Sequence, residues 1–179
     1  EGVVAWQSAV GRFRPRAVID TDRESVELMK VRQRKVERAL AMLSGILYIV
    51  CLATPAYHPA MGYAEAGVYY GWAALLLGPI GLFAGHFSWL ANPILWSSWI
   101  ALQKGHFYAA FTTAVVAIAV ALTFLAGKTI AVGDSGEFPY EVRFGYYVWL
   151  ASIALAGAVA AIHIVRRDIK KAAAVATRS

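Results

Sequence analysis

Four long stretches of the chain contain no Asp, Glu, Lys or Arg, and they constrain the fold more than any other feature. They cover residues 39–64, 66–103, 105–127 and 144–165. A helix needs about 20 predominantly apolar residues to cross the hydrocarbon core of a bilayer. In lipid the backbone must satisfy its own hydrogen bonds, which favours helices over isolated strands. The sequence therefore predicts an all-α fold, an integral membrane helical bundle.

The stretch 66–103 is the longest of the four, and Asn92-Pro93 divides it into two candidate helices, about 67–86 and 93–103. The second is too short to cross a bilayer alone at about 1.5 Å per residue. If both pieces crossed, the basic tail would lie opposite the basic N-terminal arm. We therefore expect one net crossing here and four net transmembrane helices in total. The remaining piece is then a re-entrant or interfacial helix; one long helix kinked at Pro93 is the alternative.

The basic residues predict the orientation of the chain. Nine of the 17 Lys and Arg residues precede Ala39 and five follow Val165. Positive charge is enriched on the cytoplasmic side of membrane proteins. We expect both termini to be cytoplasmic, in a bacterial inner membrane. The net charge of +6 is then a topology signal with some attraction for lipid headgroups, and it does not indicate nucleic-acid binding.

Three regions follow from this pattern. Residues 1–38 form a cytoplasmic basic arm and an amphipathic helix, which a capping box at Thr21 and Glu24 begins. Residues 39–165 form the transmembrane bundle, and residues 166–179 form a cytoplasmic basic tail. The segment 127–143 is the only sizeable external one, and its turn residues and flanking apolar runs predict a short hairpin. Its Gly-Asp-Ser-Gly sequence is read as a turn and not as a nucleophile.

A stripe of small residues in the stretch 66–103 predicts close helix packing. Its members alternate four and three apart, which places them on one face of a helix. Small residues let helix backbones approach closely in lipid. The pattern leaves open whether the neighbour belongs to this chain or to a partner. The stripe consists of Gly67, Gly71, Ala74, Gly78, Gly81 and Gly85.

Three histidines near or within the spans are the candidate cofactor ligands, namely His86, His106 and His163. The predicted topology places all three toward the cytoplasmic side. A neutral imidazole is a general metal ligand and could bind haem iron or the magnesium of a chlorin. No two of them have a ligand-like spacing, so an interfacial structural role is the alternative. We identify no catalytic residues and no separate metal site.

The leading functional hypothesis is a non-catalytic accessory subunit that packs its helices against partner subunits and lipid. A second hypothesis is a subunit that binds haem or a chlorin through a histidine. A third is a small membrane protein that acts alone, as a channel-like protein or a protector. No soluble substrate is indicated, and an enzyme is disfavoured because the sequence supplies no nucleophile with a matching base.

Overall fold

The computed structural model describes residues 16–59, 67–83, 85–127, 129–131 and 137–177. The predicted N-terminal arm before Arg16 and the Gly133–Gly136 turn lie outside these ranges. The chain divides into two compact units, Glu1–Ala39 and Leu40–Ser179. In the first unit the apolar side chains of Met29 and Val36 are exposed. The rest of the description concerns the second unit.

The part of the chain that the structure describes contains five α-helices and one 3₁₀ turn, at Phe87–Leu90. In the described ranges three helices contain apolar stretches long enough to cross a membrane, at Glu27–Ala53, Phe107–Ala126 and Phe144–Ala176. The stretch 66–103 instead forms two helices of 13 residues each, so the structure does not confirm four spanning helices. The helices are α1 (Arg16–Ala53), α2 (Gly71–Phe83), α3 (Ala91–Gln103), α4 (Phe107–Ala126) and α5 (Phe144–Ala176).

The first helix begins earlier than predicted. It starts at Arg16, immediately after Pro15 in the sequence, and runs through Thr21 and Glu24 without interruption. Proline is tolerated just before or within a first helical turn, where its missing N–H has no intrahelical partner to lose. The predicted start at Thr21 is therefore wrong, because a capping-box pattern can also lie inside a longer helix.

A small antiparallel sheet covers one end of the helices, which we call the sheet end. Its four strands have the order β2-β1-β4-β3. The predicted hairpin is present as β3 and β4, where Thr129 pairs with Pro139. The pairing of β1 with β4, in which His58 lies opposite Glu141, was not predicted. The strands are β1 (Pro55–Pro59), β2 (Tyr69–Tyr70), β3 (Thr129–Ala131) and β4 (Glu137–Val142).

Small residues allow close packing of α4 against α3 and α5. Four alanines on α4 recur every three or four residues and are fully buried. A Cβ added to Gly157 of α5 would lie 3.2 Å from the Cβ of Ala114. The turn between α3 and α4 contains Gly105 with φ +75°, so these helices run antiparallel. The alanines are Ala110, Ala114, Ala117 and Ala121.

The helix α2 and the segment after it form a hairpin that begins beside the end of α1 and leads into α3. At its start, the Gly71 N–H donates to the carbonyl of Thr54 at 3.0 Å. After α2 the chain turns back, and the His86 N–H donates to the carbonyl of Gly81 at 2.9 Å. The Trp89 indole then donates to the carbonyl of Leu75 at 2.8 Å. We call residues 71–90 the α2 hairpin.

Replacement of Gly71 by Ala is expected to destabilise the protein by about 1–3 kcal/mol, the usual cost of overpacking. An added Cβ would clash with the backbone carbonyl of Cys51 at the end of α1. The midpoint of thermal unfolding in detergent would measure the loss. Gly45→Ala is the control, because nothing lies within 4 Å of a Cβ there and Ala favours a helix interior. Equal midpoints for the two variants would contradict close packing at Gly71.

Candidate functional site: an apolar cavity beside the α2 hairpin

A cavity of about 640 Å³ lies between the α2 hairpin and the sheet end of the bundle. Ala74, Leu75 and Gly78 of α2 line one side of it. Its volume is within the range of small-molecule sites, about 300–1,000 Å³. Among the described residues that line it, none is Asp, Glu, Lys or Arg. The lining therefore suits an uncharged or apolar occupant.

Aromatic rings form the opposite side of the cavity. Tyr57 of β1 stacks on Tyr69 of β2 with ring centroids 5.0 Å apart. Phe124 lies 4.4 Å from the ring of Tyr140, whose hydroxyl donates to the carbonyl of Gly127 at 3.0 Å. Burial of the Tyr57 phenol and, to a smaller extent, its electrostatic interaction with Tyr69 raise the pKa of Tyr57 to about 12. The phenol of Tyr57 therefore stays neutral and can donate a hydrogen bond at any physiological pH.

Asn92 is the polar centre beneath the cavity. Its Oδ1 accepts hydrogen bonds from the Tyr48 hydroxyl at 3.2 Å and from the Trp149 indole at 3.0 Å. Its Nδ2 donates to the carbonyl of Trp89 at 3.1 Å. Only 8% of Asn92 is exposed. This one side chain therefore connects α1, α3, α5 and the 3₁₀ turn that contains Trp89.

The sequence reasoning treated Asn92 only as a helix-start signal and missed this network. The helix begins at Ala91, two residues before the predicted start at Pro93. A polar amide within a long charge-free stretch was the available signal, since such groups seek hydrogen-bonding partners on neighbouring helices in lipid. The sequence could not identify Tyr48 and Trp149 as the partners, because each is distant in the chain.

A second polar contact lies deeper in the bundle. The Ser44 hydroxyl donates to the carbonyl of Ser152, and the Ser152 hydroxyl donates to the carbonyl of Ser44, both at 2.8 Å. The Trp99 indole donates to the Ser44 oxygen at 3.1 Å. Both serines are fully buried. This reciprocal pair fixes the register of α1 against α5 and has a structural role.

The structure separates the three predicted histidines. His86 lines the cavity at the sheet end. His106 immediately precedes α4, and the length of that helix places it about 30 Å from the sheet end. His163 belongs to the same end as His106, because it stacks on Phe107 at 4.1 Å. The three histidines therefore do not share one site, and the side of a membrane that each of them faces stays a prediction.

The members of the small-residue stripe have different environments. Gly71 lies against the end of α1, and a Cβ on Gly78 would clash with the indole ring of Trp89. Ala74 lines the cavity, and a Cβ on Gly81 would lie 3.6 Å from the Cβ of His86. Gly67 and Gly85 lie outside α2 with nothing within 4 Å of an added Cβ. The close contacts at Gly71 and Gly78 are thus internal to this chain.

Replacement of Asn92 by Leu is expected to lower the free energy of unfolding by about 1–2 kcal/mol, because Tyr48 and Trp149 lose their shared acceptor. Ser97→Ala on the same helix is the matched control, since the Ser97 hydroxyl is exposed and bonds only its own helix, at Pro93. A double-mutant cycle with Tyr48→Phe should show a coupling of about 0.5–2 kcal/mol. Additive effects would exclude the Tyr48–Asn92 hydrogen bond as a contributor.

A comparison of the sequence with protein-family models and with characterised proteins finds no significant match.

Proposed function

We propose that the protein is a non-catalytic accessory subunit of a membrane protein complex, and that the outer face of α2 is its partner-binding surface. Three helices of spanning length support its location in a membrane. The described lining of the cavity supports a non-catalytic role, because its imidazole, that of His86, has no Asp, Glu or Lys beside it in that lining to complete an acid–base pair.

The proposed topology has four crossings, with α3 as the fourth. Asn92 contacts Tyr48 and Trp149 near the sheet end, and Lys104 follows α3 at the other end. Together, the 3₁₀ turn and α3 rise about 28 Å, close to the thickness of the hydrocarbon core. α2 is then the re-entrant or interfacial element, and the 3₁₀ turn belongs to the crossing with α3.

The charges support a cytoplasmic location for the end opposite the sheet. Lys104 lies in the turn at that end, and four basic residues lie in the last turns of α5, namely Arg166, Arg167, Lys170 and Lys171. The basic residues before Ala39 favour the same side for the N-terminus. Both termini of the proposed subunit are cytoplasmic, in a bacterial inner membrane.

The exposure of α2 is the observation that carries the proposal. None of its 13 residues, all of which the structure describes, is buried. Phe83 at its C-terminal end is 95% exposed. A re-entrant element is tolerated in lipid where other protein covers it, and this chain covers only the inner side of α2. Trp72 and Leu76 do not line the cavity, and both are exposed by more than half. They mark the face that a partner would cover.

We expect the wild-type protein to migrate in a large complex on a native gel in mild detergent. The double variant Trp72→Ala/Leu76→Ala should run as the isolated subunit, because it removes two large side chains from the proposed interface. The matched control is Phe111→Ala/Val115→Ala, which has the same spacing on the exposed face of α4 and should stay in the complex. A wild-type protein that runs alone, or a complex that neither pair disturbs, would rule out this interface.

A second candidate function is the binding of a lipophilic cofactor, because His86 lies in the cavity wall. Its imidazole could ligate a metal-bearing macrocycle placed between α2 and the aromatic side. The described lining has no Lys or Arg to pair with the carboxylates of haem, so charge favours an uncharged chlorin. His106 and His163 are at the other end and could not serve the same ligand.

If this second function holds, the purified protein should show a Soret or chlorin absorption band. His86→Ala should abolish that band, because it removes the axial ligand. His106→Ala should keep the band, since His106 lies at the far end of α4. A colourless wild-type protein would exclude a pigment at this site, and a band that survives His86→Ala would place the ligand elsewhere.

A further inference from the structure

A second groove lies at the end of the bundle opposite the sheet, with a volume of about 550 Å³. It is formed where α3 turns into α4, and α5 contributes Arg167 to it. Neither proposal made above uses this groove. Its lining residues combine an apolar floor with cationic side chains at the level where a bilayer meets the cytoplasm in the proposed topology.

The charges in the groove favour an anion. Lys104 and Arg167 both line it and both are exposed. Among the described lining residues there is no Asp or Glu. The acidic group nearest in sequence, Asp168, accepts hydrogen bonds from the Tyr108 hydroxyl at 3.2 and 3.3 Å. An arginine and a lysine together can bind phosphate oxygens, the arginine through two parallel N–H donors and the lysine as a point charge.

The apolar residues of the groove favour a lipid over a free anion as the ligand. Ile100 and Phe107 line the groove beside the two cations, and about half of the Ile100 side chain is exposed. A phosphodiester that carries acyl chains could place its phosphate between Lys104 and Arg167 and its chains on these side chains. An inorganic phosphate would leave the apolar surface uncovered.

The start of α4 adds backbone donors at the same place. Phe107, Tyr108 and Ala109 are the first three residues of α4 and line the groove. The residue before them, His106, makes no side-chain capping hydrogen bond. The first N–H groups of a helix have no intrahelical acceptor and carry partial positive charge. These N–H groups add to the attraction of an anion by Lys104 and Arg167, which are the main binding groups.

We infer that the groove formed by Ile100, Lys104, Phe107 and Arg167 is a binding site for the phosphate headgroup of an anionic phospholipid. The site belongs to this subunit alone and needs no partner. It therefore stands independently of the proposed interface on α2. Because each cation near a membrane surface contributes about 1 kcal/mol of attraction to anionic lipid, the pair should give about tenfold or greater preference over a zwitterionic lipid.

The test uses the purified full-length protein with phosphatidylglycerol and with phosphatidylcholine of the same acyl chains. Lipid retained on the protein is measured by native mass spectrometry, and the unfolding midpoint is measured with each lipid. We expect retention and stabilisation by phosphatidylglycerol in the wild type. Lys104→Gln/Arg167→Gln should lose the preference, and Lys104→Gln alone, in an exposed turn, should weaken it without affecting the fold.

The matched control is Lys170→Gln/Lys171→Gln, which removes the same charge from α5 outside the groove. It should keep the preference for phosphatidylglycerol. An equal loss in both double variants would show only general attraction to a basic surface and would overturn the site. Displacement of the lipid by millimolar inorganic phosphate would show a free-phosphate site instead. The site would also be refuted if Lys104→Gln and Lys104→Gln/Arg167→Gln both kept the wild-type preference for phosphatidylglycerol.

Discussion

The amide of Asn92 is the interaction on which the arrangement at the sheet end depends. Its oxygen accepts from Tyr48 on α1 and Trp149 on α5, and its nitrogen donates to the backbone of the α2 hairpin. In lipid no water competes for these groups, so an unpaired amide would be costly. The place where α3 can begin is set by the need to bring Asn92 to both aromatic partners. The cavity exists because α2 stands away from this fixed point.

Two kinds of packing divide the structure into a firm part and an open part. In the firm part, buried alanines on α4 and the reciprocal Ser44–Ser152 contact hold helix backbones close together. In the open part, α2 contacts the end of α1 at Gly71 and the 3₁₀ turn at Trp89, and it lines a cavity. Without a hydrophobic driving force between helices in lipid, such contacts decide which helices associate. A ligand or a partner would therefore act on α2 before it could affect α4.

The sequence was sufficient for features that depend on composition and local patterns. Charge-free stretches predicted the three described helices that are long and apolar enough to span a membrane, and turn residues predicted the β3–β4 hairpin. Features that depend on distant partners were not accessible. β1 contains His58 between two prolines and shows its strand character only when it pairs with β4. The location of His86 depends on the turn of the chain after α2, and the spacing of apolar residues in the sequence does not predict such a turn. The candidate groove combines Lys104 of the turn between α3 and α4 with Arg167 of α5, residues that are distant in the sequence.

The pairing of β1 with β4 has a consequence for the order in which the protein is made. β1 follows α1 directly, but its partner β4 is synthesised only after α2, α3 and α4. A non-local strand pair of this kind forms slowly, because a long loop must close first. During synthesis β1 can pair with β2 soon after it is made, but its other edge has no partner until β4 follows. That edge can pair with another strand until β4 is made, so a late segment of the chain completes a sheet that begins directly after α1.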